Sequence, residues 1–275
     1  MSFRFPLIRF STKERLEELQ NGTMYLRNAT RYREMEDNDG NTVKGDKFEA
    51  KIPYYSGEGL NRIMGEDSSN LKELRSHLSL MRANTFICCM YALKGSNLVA
   101  IDENWAAFRI NDKNEKIKSL GEYALVICDV DRFLLAFESA EIDACKFRLQ
   151  NYVEYRDLHD QTVADSISER FISYLIDTNP YKTANDLTPF ELIKDVKYEY
   201  QQEYRFVVHT GWTPEDVFNE YRGIVKNDGI KIKIEDCKSY SFICKTEDIL
   251  KRTLYCKLEG GKLTVGFGTF KEPGK

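Results

Sequence analysis

The side chains best placed to do chemistry lie in a short stretch near residue 200. It runs from Tyr200 to Val208 with the sequence Tyr-Gln-Gln-Glu-Tyr-Arg-Phe-Val-Val. In an extended strand successive side chains point to opposite faces, so Gln201, Glu203 and Arg205 share one face while the other face is apolar. An amide, a carboxylate and a guanidinium in one row can bind or transform a polar ligand. We therefore take this face as the candidate site.

A second strand near the N-terminus has the same division of faces. Met24 and Leu26 alternate with Thr23, Tyr25 and Arg27, which is the two-residue period of a half-buried strand. The sequence predicts that the polar faces of the two strands meet in one cleft.

These residues also have an ordinary structural interpretation. Glu203 and Arg205 are same-face neighbours, and an ion pair or a solvated sheet face would produce the same pattern. Arg27 is equally explicable as a surface arginine. The choice between the two interpretations depends on where the side chains lie.

Composition excludes some functional classes. The 275 residues are 42% hydrophobic and 31% charged, which is typical of a globular chain. The net charge is −4 with the two signs interspersed, so the chain lacks the basic field that non-specific nucleic-acid binding requires. A nuclease-like or RNA-binding module is therefore disfavoured.

No common cofactor or metal motif is present. The sequence has no G-x-G-x-x-G, no P-loop and no H-E-x-x-H, and it contains three histidines and seven cysteines without a C-x-x-C pair. We expect no metal site, and we expect the cysteines to be buried free thiols. A signal-peptide core and a run of about 18 apolar residues are both lacking, which predicts a cytoplasmic protein without a membrane partner.

The pattern of elements predicts an α+β fold, with one domain over 1–275 built on a mixed, largely antiparallel sheet flanked by short helices.

A capping box at Ser11 predicts a helix that ends near Gly22. Further helices are predicted at 70–81, around Trp105, after Asp131, at 163–174 and after Thr213. Residues 123–128 are predicted to form a central strand covered on both faces, 33–60 a long acidic loop, and 210–275 a strand-rich C-terminal part that ends in a hairpin across Gly260 and Gly261.

Several short motifs resemble a large uncharacterised family found in bacteria and phages. Its members open with a short helix and an N-G-T/K-x-Y strand and close on a Q/E-x-E-[YFW]-R strand. The matching residues are Asn21 to Tyr25, Tyr32 to Glu36, Gly45 and Asp46, Glu49, and Tyr200 to Arg205. The resemblance implies a bacterial or phage setting, including phage defence, and no particular reaction.

The same strand is similar to the Q/E-x-E element of ADP-ribosyltransferases, and Arg27 resembles their NAD-binding arginine. The resemblance implies that Glu203 stabilises the oxocarbenium character that develops when the nicotinamide–ribose bond breaks. Gln201 would orient the acceptor, which is a macromolecular target. Arg27 would bind the pyrophosphate, Tyr25 would stack on nicotinamide, and Arg205 is counted with the NAD-binding residues.

One part of that pattern is missing. Those enzymes carry a Ser-Thr-Ser strand, and here the corresponding region offers only Thr85 followed by Phe and Ile, with Ser56 and Ser96 in predicted loops. The alternative function is therefore a non-enzymatic phage or defence protein that binds a protein partner or a small nucleotide.

Overall fold

The computed structural model describes residues 4–37, 84–110, 115–160, 162–163, 166, 190–210, 228–265 and 270. The part of the predicted acidic loop at 38–60, the predicted helix at 70–81, most of the predicted helix at 163–174 and the predicted helix after Thr213 lie outside these residues.

An eight-stranded antiparallel sheet forms the centre of the described structure. Its main path runs β11, β2, β3, β1, β6, β12, and β10 pairs with both β3 and β7. The strands are β1 (Leu7–Ser11), β2 (Thr23–Asn28), β3 (Thr85–Ala92), β6 (Tyr123–Ile127), β7 (Cys145–Tyr152), β10 (Glu203–Thr210), β11 (Gly229–Lys233) and β12 (Ser241–Lys245).

Within the described residues, two smaller sheets and four short α-helices accompany it. The four-stranded sheet has the order β14, β13, β5, β4, and β8 and β9 form a parallel pair. These strands are β4 (Leu98–Ile101), β5 (Trp105–Phe108), β8 (Glu154–Arg156), β9 (Ile193–Asp195), β13 (Leu254–Glu259) and β14 (Lys262–Val265). The helices are α1 (Lys13–Gln20), α2 (Ala29–Asp37), α3 (Val130–Glu138) and α4 (Thr246–Lys251). The predicted α+β class with a mixed, largely antiparallel sheet is confirmed.

Two apolar cores cover opposite faces of the large sheet. Leu125 and Ile127 of β6 belong to one core, while Ala124 and Val126 belong to the other. Strand β6 is therefore buried on both faces, as its uninterrupted apolar sequence predicts. The second core also contains Phe108 of β5, so it joins the large sheet to the four-stranded sheet.

The sheet splits along one edge of β3. Strand β1 pairs with the end of β3, through Leu7 and Ala92 and through Ile8 and Tyr91. Strand β2 pairs with the start of β3 along the same edge, through Arg27 and Ile87. Strand β10 occupies the opposite edge. Between the two pairings, residues 88–90 face a gap between β1 and β2.

Three predictions of local structure are wrong. Trp105 lies in strand β5, because its segment pairs between β4 and β13, and tertiary pairing outweighs a short helical pattern. Ser11 closes β1, so Thr12 and not Ser11 precedes α1, and no side-chain cap is formed. Residues 33–37 are the end of helix α2 and not the start of a loop. The C-terminal hairpin is confirmed, with Gly260 and Gly261 both at positive φ.

Candidate functional site

The backbone around Glu203 differs from the predicted continuous strand. Strand β10 begins at Glu203, Gln201 ends a 3₁₀ turn (Val196–Gln201), and Gln202 between them is left-handed with φ 41° and ψ 50°. Gln201 and Glu203 therefore do not share a face through strand alternation. The left-handed residue nevertheless turns both side chains toward one partner, Lys194 of β9.

Lys194 is the centre of a buried polar network. Its Nζ donates to Gln201 Oε1 at 2.7 Å and to Glu203 Oε1 at 2.6 Å. The same Nζ lies 4.7 Å from the centroid of the Tyr198 ring, within cation–π range. Only 4% of the residue is exposed. The Glu203 carboxylate, the Gln201 amide oxygen and the Tyr198 ring compensate for the hydration that the Lys194 ammonium loses on burial.

Arg205 closes the network from the other side. Its Nε donates to Glu203 Oε2 at 2.8 Å, and its Nη1 donates to the Glu191 carbonyl. Arg205 is 0% exposed. Glu203 is thus held through both carboxylate oxygens, and its amide donates to the Tyr155 hydroxyl at 2.8 Å. The ion pair between Glu203 and Arg205 exists, but it is buried and not solvated.

The network fixes the ionisation of Glu203. Burial by itself raises the pKa of this carboxyl, but the charges and hydrogen bonds of Lys194 and Arg205 act against it and lower the pKa from 4.5 to about 2. Glu203 is therefore a carboxylate at every pH near neutrality. It can stabilise a positive charge or accept a hydrogen bond, but it cannot serve there as a general acid.

A cavity of about 660 Å³ opens where the sheet splits. This volume is within the range of small-molecule sites. Arg9 of β1 lies in the gap and donates through Nη1 to the Cys89 carbonyl of β3. Its guanidinium thus contacts a stretch of β3 that neither β1 nor β2 pairs with.

Tyr32 of α2 lines the same cavity as Arg9 and Arg27. Arg27 Cζ is 5.9 Å from the centroid of its ring, and Arg27 Nη1 also contacts Met35 Sδ at 3.3 Å. Burial raises the pKa of the Tyr32 hydroxyl well above its ordinary value, and the positive charges of Arg9 and Arg27 act in the opposite direction. Arg9, Tyr32 and Arg27 therefore form one electrostatic group.

The described lining of the cavity carries a net positive charge. Among the described residues, five cationic side chains and two carboxylates line it, a net positive charge of three: Arg9, Arg15, Arg27, Lys194 and Lys231 against Glu18 and Glu203. Lys231 pairs with Glu18 at 3.0 Å, and both are exposed. Among the described residues, Arg9, Arg15 and Arg27 have no carboxylate within ion-pair distance. An unpaired positive charge in a concave site favours an anionic ligand.

Four of the five predicted site residues share this cavity. Glu203, Gln201, Arg27 and Tyr25 all line it, so the polar sides of the two segments do meet. The Tyr25 phenol lies over Gly229 of β11, where a Cβ would come within 2.5 Å of its hydroxyl. Arg205 does not line the cavity, and its place behind Glu203 gives no support to a direct contact with NAD.

Among the site residues that were not predicted from the sequence are Arg9, Arg15, Tyr32 and Lys194. Lys194 lies in a three-residue strand that carries no motif, and Arg9 interrupts an apolar run near the N-terminus. Tyr32 appeared only within a family motif. The one available signal was that Arg9 and Lys194 each stand in a short apolar segment, which is unusual for an exposed charge.

The part of the chain that the structure describes contains no group of three or more histidine, cysteine or acidic residues arranged to hold a metal ion.

All seven cysteines are free, and four of them are buried. Within the same described ranges, no helix has the length and apolar character needed to cross a membrane.

No family model, curated protein or solved structure matches this chain. The function proposed below therefore rests on the geometry of the cavity.

Proposed function

We propose that the protein binds a small phosphorylated ligand of the nucleotide class in the cavity at the split of the sheet. The observation that carries this proposal is the set of three arginines, Arg9, Arg15 and Arg27, that line the cavity without a carboxylate partner among the described residues. Guanidinium groups bind phosphate through a planar fork of donors. Arg9 and Arg27 are half-buried, and a charge partly removed from water without a carboxylate partner is best satisfied by a ligand of opposite charge. Arg15 is exposed and adds to the positive field at the cavity.

The remaining lining suits the rest of a nucleotide. Tyr25, Tyr32 and Tyr91 supply aromatic surface for a planar ring. Glu203 and Gln201 supply groups that hydrogen-bond to hydroxyls and amides at the buried end of the cavity. This combination of a mostly preformed cavity with a few polar groups is usual for cofactor sites.

The test is calorimetric titration of the protein with NAD, AMP and adenosine. We expect NAD and AMP to bind and adenosine to bind at least ten-fold more weakly, because it lacks the phosphate. Arg27→Gln should lower the affinity for AMP by roughly ten-fold or more, in keeping with about 1.5–3 kcal/mol for a charged hydrogen bond. Arg109→Gln is the matched control, because Arg109 is exposed and lies outside the cavity. Equal binding of AMP and adenosine would contradict the proposal.

A second candidate is cleavage of the glycosidic bond of NAD with transfer of ADP-ribose to a macromolecular target, in a bacterial or phage setting. It is favoured by one observation, that the ionised Glu203 carboxylate lies in the same cavity as Gln201, Tyr25 and Arg27. A fixed carboxylate can stabilise an oxocarbenium-like transition state. The contacts of Glu203 with two cations weaken this role, since they compensate the charge that the transition state would use.

Release of nicotinamide from NAD distinguishes the two candidates. If the second holds, wild type releases nicotinamide and Glu203→Gln releases at least a hundred-fold less, while NAD still binds to the variant. The assay includes a cell lysate as the source of the macromolecular target. Binding of NAD to both proteins with no release of nicotinamide by either then leaves the first candidate. A circular dichroism spectrum of Glu203→Gln that matches wild type is the control for folding.

A further inference from the structure

We infer that Lys194 is the positioning residue of the cavity, which sets both the orientation of Gln201 and Glu203 and the charge that they present to a ligand. This inference deepens the proposed function and rests on it as far as ligand binding is concerned. Its structural part concerns the free protein and is tested without ligand.

The contacts of Lys194 carry the first step. One ammonium group donates to Gln201 Oε1 and to Glu203 Oε1 at 2.7 and 2.6 Å. Gln201 lies outside strand β10, and a left-handed residue separates it from Glu203. Strand geometry therefore does not hold the two side chains together, whereas the Lys194 ammonium contacts both of them.

The position of Lys194 carries the second step. It lies in β9, which pairs in parallel with β8 and belongs to neither of the larger sheets. The Lys194 side chain reaches the cavity that the large sheet forms. Lys194 thus links a separate two-stranded unit to the polar end of the cavity, and a shift of that unit would move Gln201 and Glu203 together.

Electrostatics supports the same role. Lys194 and Arg205 are the two cations that keep Glu203 ionised against the effect of burial. Other groups also face this carboxylate: Arg9 of β1, Tyr155 of β8 and Tyr200 of the 3₁₀ turn. Burial raises the pKa of Glu203, whereas Lys194 and Arg205 lower it. When Lys194 is removed, one of the two lowering charges is lost, so the pKa of Glu203 should rise into a range where it can be titrated.

Carboxyl carbon NMR of Glu203 tests the inference in the free protein. We expect no titration of this carbon between pH 4 and 7 in wild type, and a titration within that range in Lys194→Met. The matched control is Lys197→Met. Lys197 lies at the same 4.7 Å from the Tyr198 ring, but its side chain is exposed. A folded Lys194→Met protein without titration in that range would overturn the inference.

A conservative variant keeps the inference testable if Lys194→Met does not fold. Lys194→Arg retains the charge but replaces a compact ammonium with a planar fork that has different donor directions. We expect Glu203 to stay ionised in Lys194→Arg, while the side-chain amide resonances of Gln201 shift. Lys197→Arg should leave them in place. Amide resonances of Gln201 that are the same in wild type and Lys194→Arg would show that Lys194 does not orient this side chain.

Titration with NAD separates this inference from the proposed function. If both hold, Lys194→Met should lose at least ten-fold in affinity for NAD at pH 8, where Glu203 is ionised without Lys194. The loss should be smaller at pH 5.5, where protonation of Glu203 offsets the lost positive charge. If wild type binds no NAD but Glu203 titrates as described, the positioning role stands and the proposed function fails. If wild type binds NAD and Glu203 does not titrate in Lys194→Met, the positioning role fails and the proposed function stands.

Discussion

At the scale of residues, the site is a set of charges that differ in whether they are compensated. Glu203 is held by Lys194 and Arg205, all of them buried, whereas Arg9 and Arg27 contact carbonyl, sulfur and aromatic groups. The ion pairs hold the Glu203 side chain in one position at the cavity. Arg9 and Arg27, which have no carboxylate partner among the described residues, make the cavity favour anions.

Loss of the Glu203 charge should be costly. Glu203→Gln removes the carboxylate that contacts two buried cations, Lys194 and Arg205. Breaking a buried ion pair from one side costs about 3–5 kcal/mol. Glu247→Gln is the control, because Glu247 forms only an exposed pair with Lys251, and such pairs contribute about 0–1 kcal/mol. Urea unfolding measures both variants. Equal free energies of unfolding for Glu203→Gln and wild type would contradict the buried network.

Acid should remove the contribution of Glu203 to stability. Its pKa in the folded protein is about 2, below the ordinary value of 4.5. The contribution of a group with a lowered pKa is fully present above 4.5 and is lost as the pH falls from 4.5 towards 2. Wild type should therefore lose more unfolding free energy over this range than Glu203→Gln. Urea midpoints measured in steps of pH test this, and parallel curves for the two proteins would refute it.

At the scale of elements, the turn before β10 departs from regular structure. Gln202 is left-handed, which costs a non-glycine residue roughly 1–2 kcal/mol. Its buried side-chain oxygen Oε1 has no hydrogen-bond partner among the described residues. Both features lie next to the two residues that Lys194 holds. The surrounding contacts therefore hold this turn in a backbone conformation that is unfavourable for glutamine.

Substitution of Gln202 should reveal this strain. Gln202→Gly removes the steric cost and the unpaired oxygen, so we expect stability to rise by up to about 1 kcal/mol. Gln202→Val places a β-branched residue in the same conformation, which should lower stability by at least that amount. Thermal unfolding measures both changes. The opposite order of the two variants would show that the left-handed conformation is not maintained.

Some elements of the fold could be predicted from the sequence, and others could not. Strands β2, β6, β11 and the C-terminal hairpin were predictable, because period and turn residues act over a few neighbouring positions. That Arg27 and Glu203 line one cavity was predicted from the polar faces of two segments. The turn at Gln202 was not predictable, since no glycine or asparagine marks it. Lys194 was also not predictable, because its role depends on groups that the fold, and not the local sequence, places around it.

At the scale of the whole molecule, the two apolar cores connect the sheets. Phe206 packs in one core against Phe133 and Phe137, with ring centroids 5.5 and 5.0 Å apart. The other core joins β6 to β5. Because β6 contributes to both cores, loss of packing on one face should weaken the entire described unit.

Phe206→Ala should therefore lower the stability of both sheets together. A buried phenylalanine replaced by alanine costs about 3–5 kcal/mol. In a Trp212→Phe background, fluorescence of Trp105 reports on the four-stranded sheet, while circular dichroism reports on all strands. We expect the two signals to shift to the same lower urea midpoint. A Trp105 midpoint that does not move would show that the sheets unfold independently.

The arrangement of β1 and β2 on one edge of β3 also bears on how such a protein can diverge. Main-chain pairing sets the width of the gap, while the side chains at positions 9, 25 and 27 set what the gap can hold. Replacement of those three side chains leaves every ladder bond in place. We therefore expect descendants of this fold to exchange ligands by point substitution, with the frame inherited unchanged.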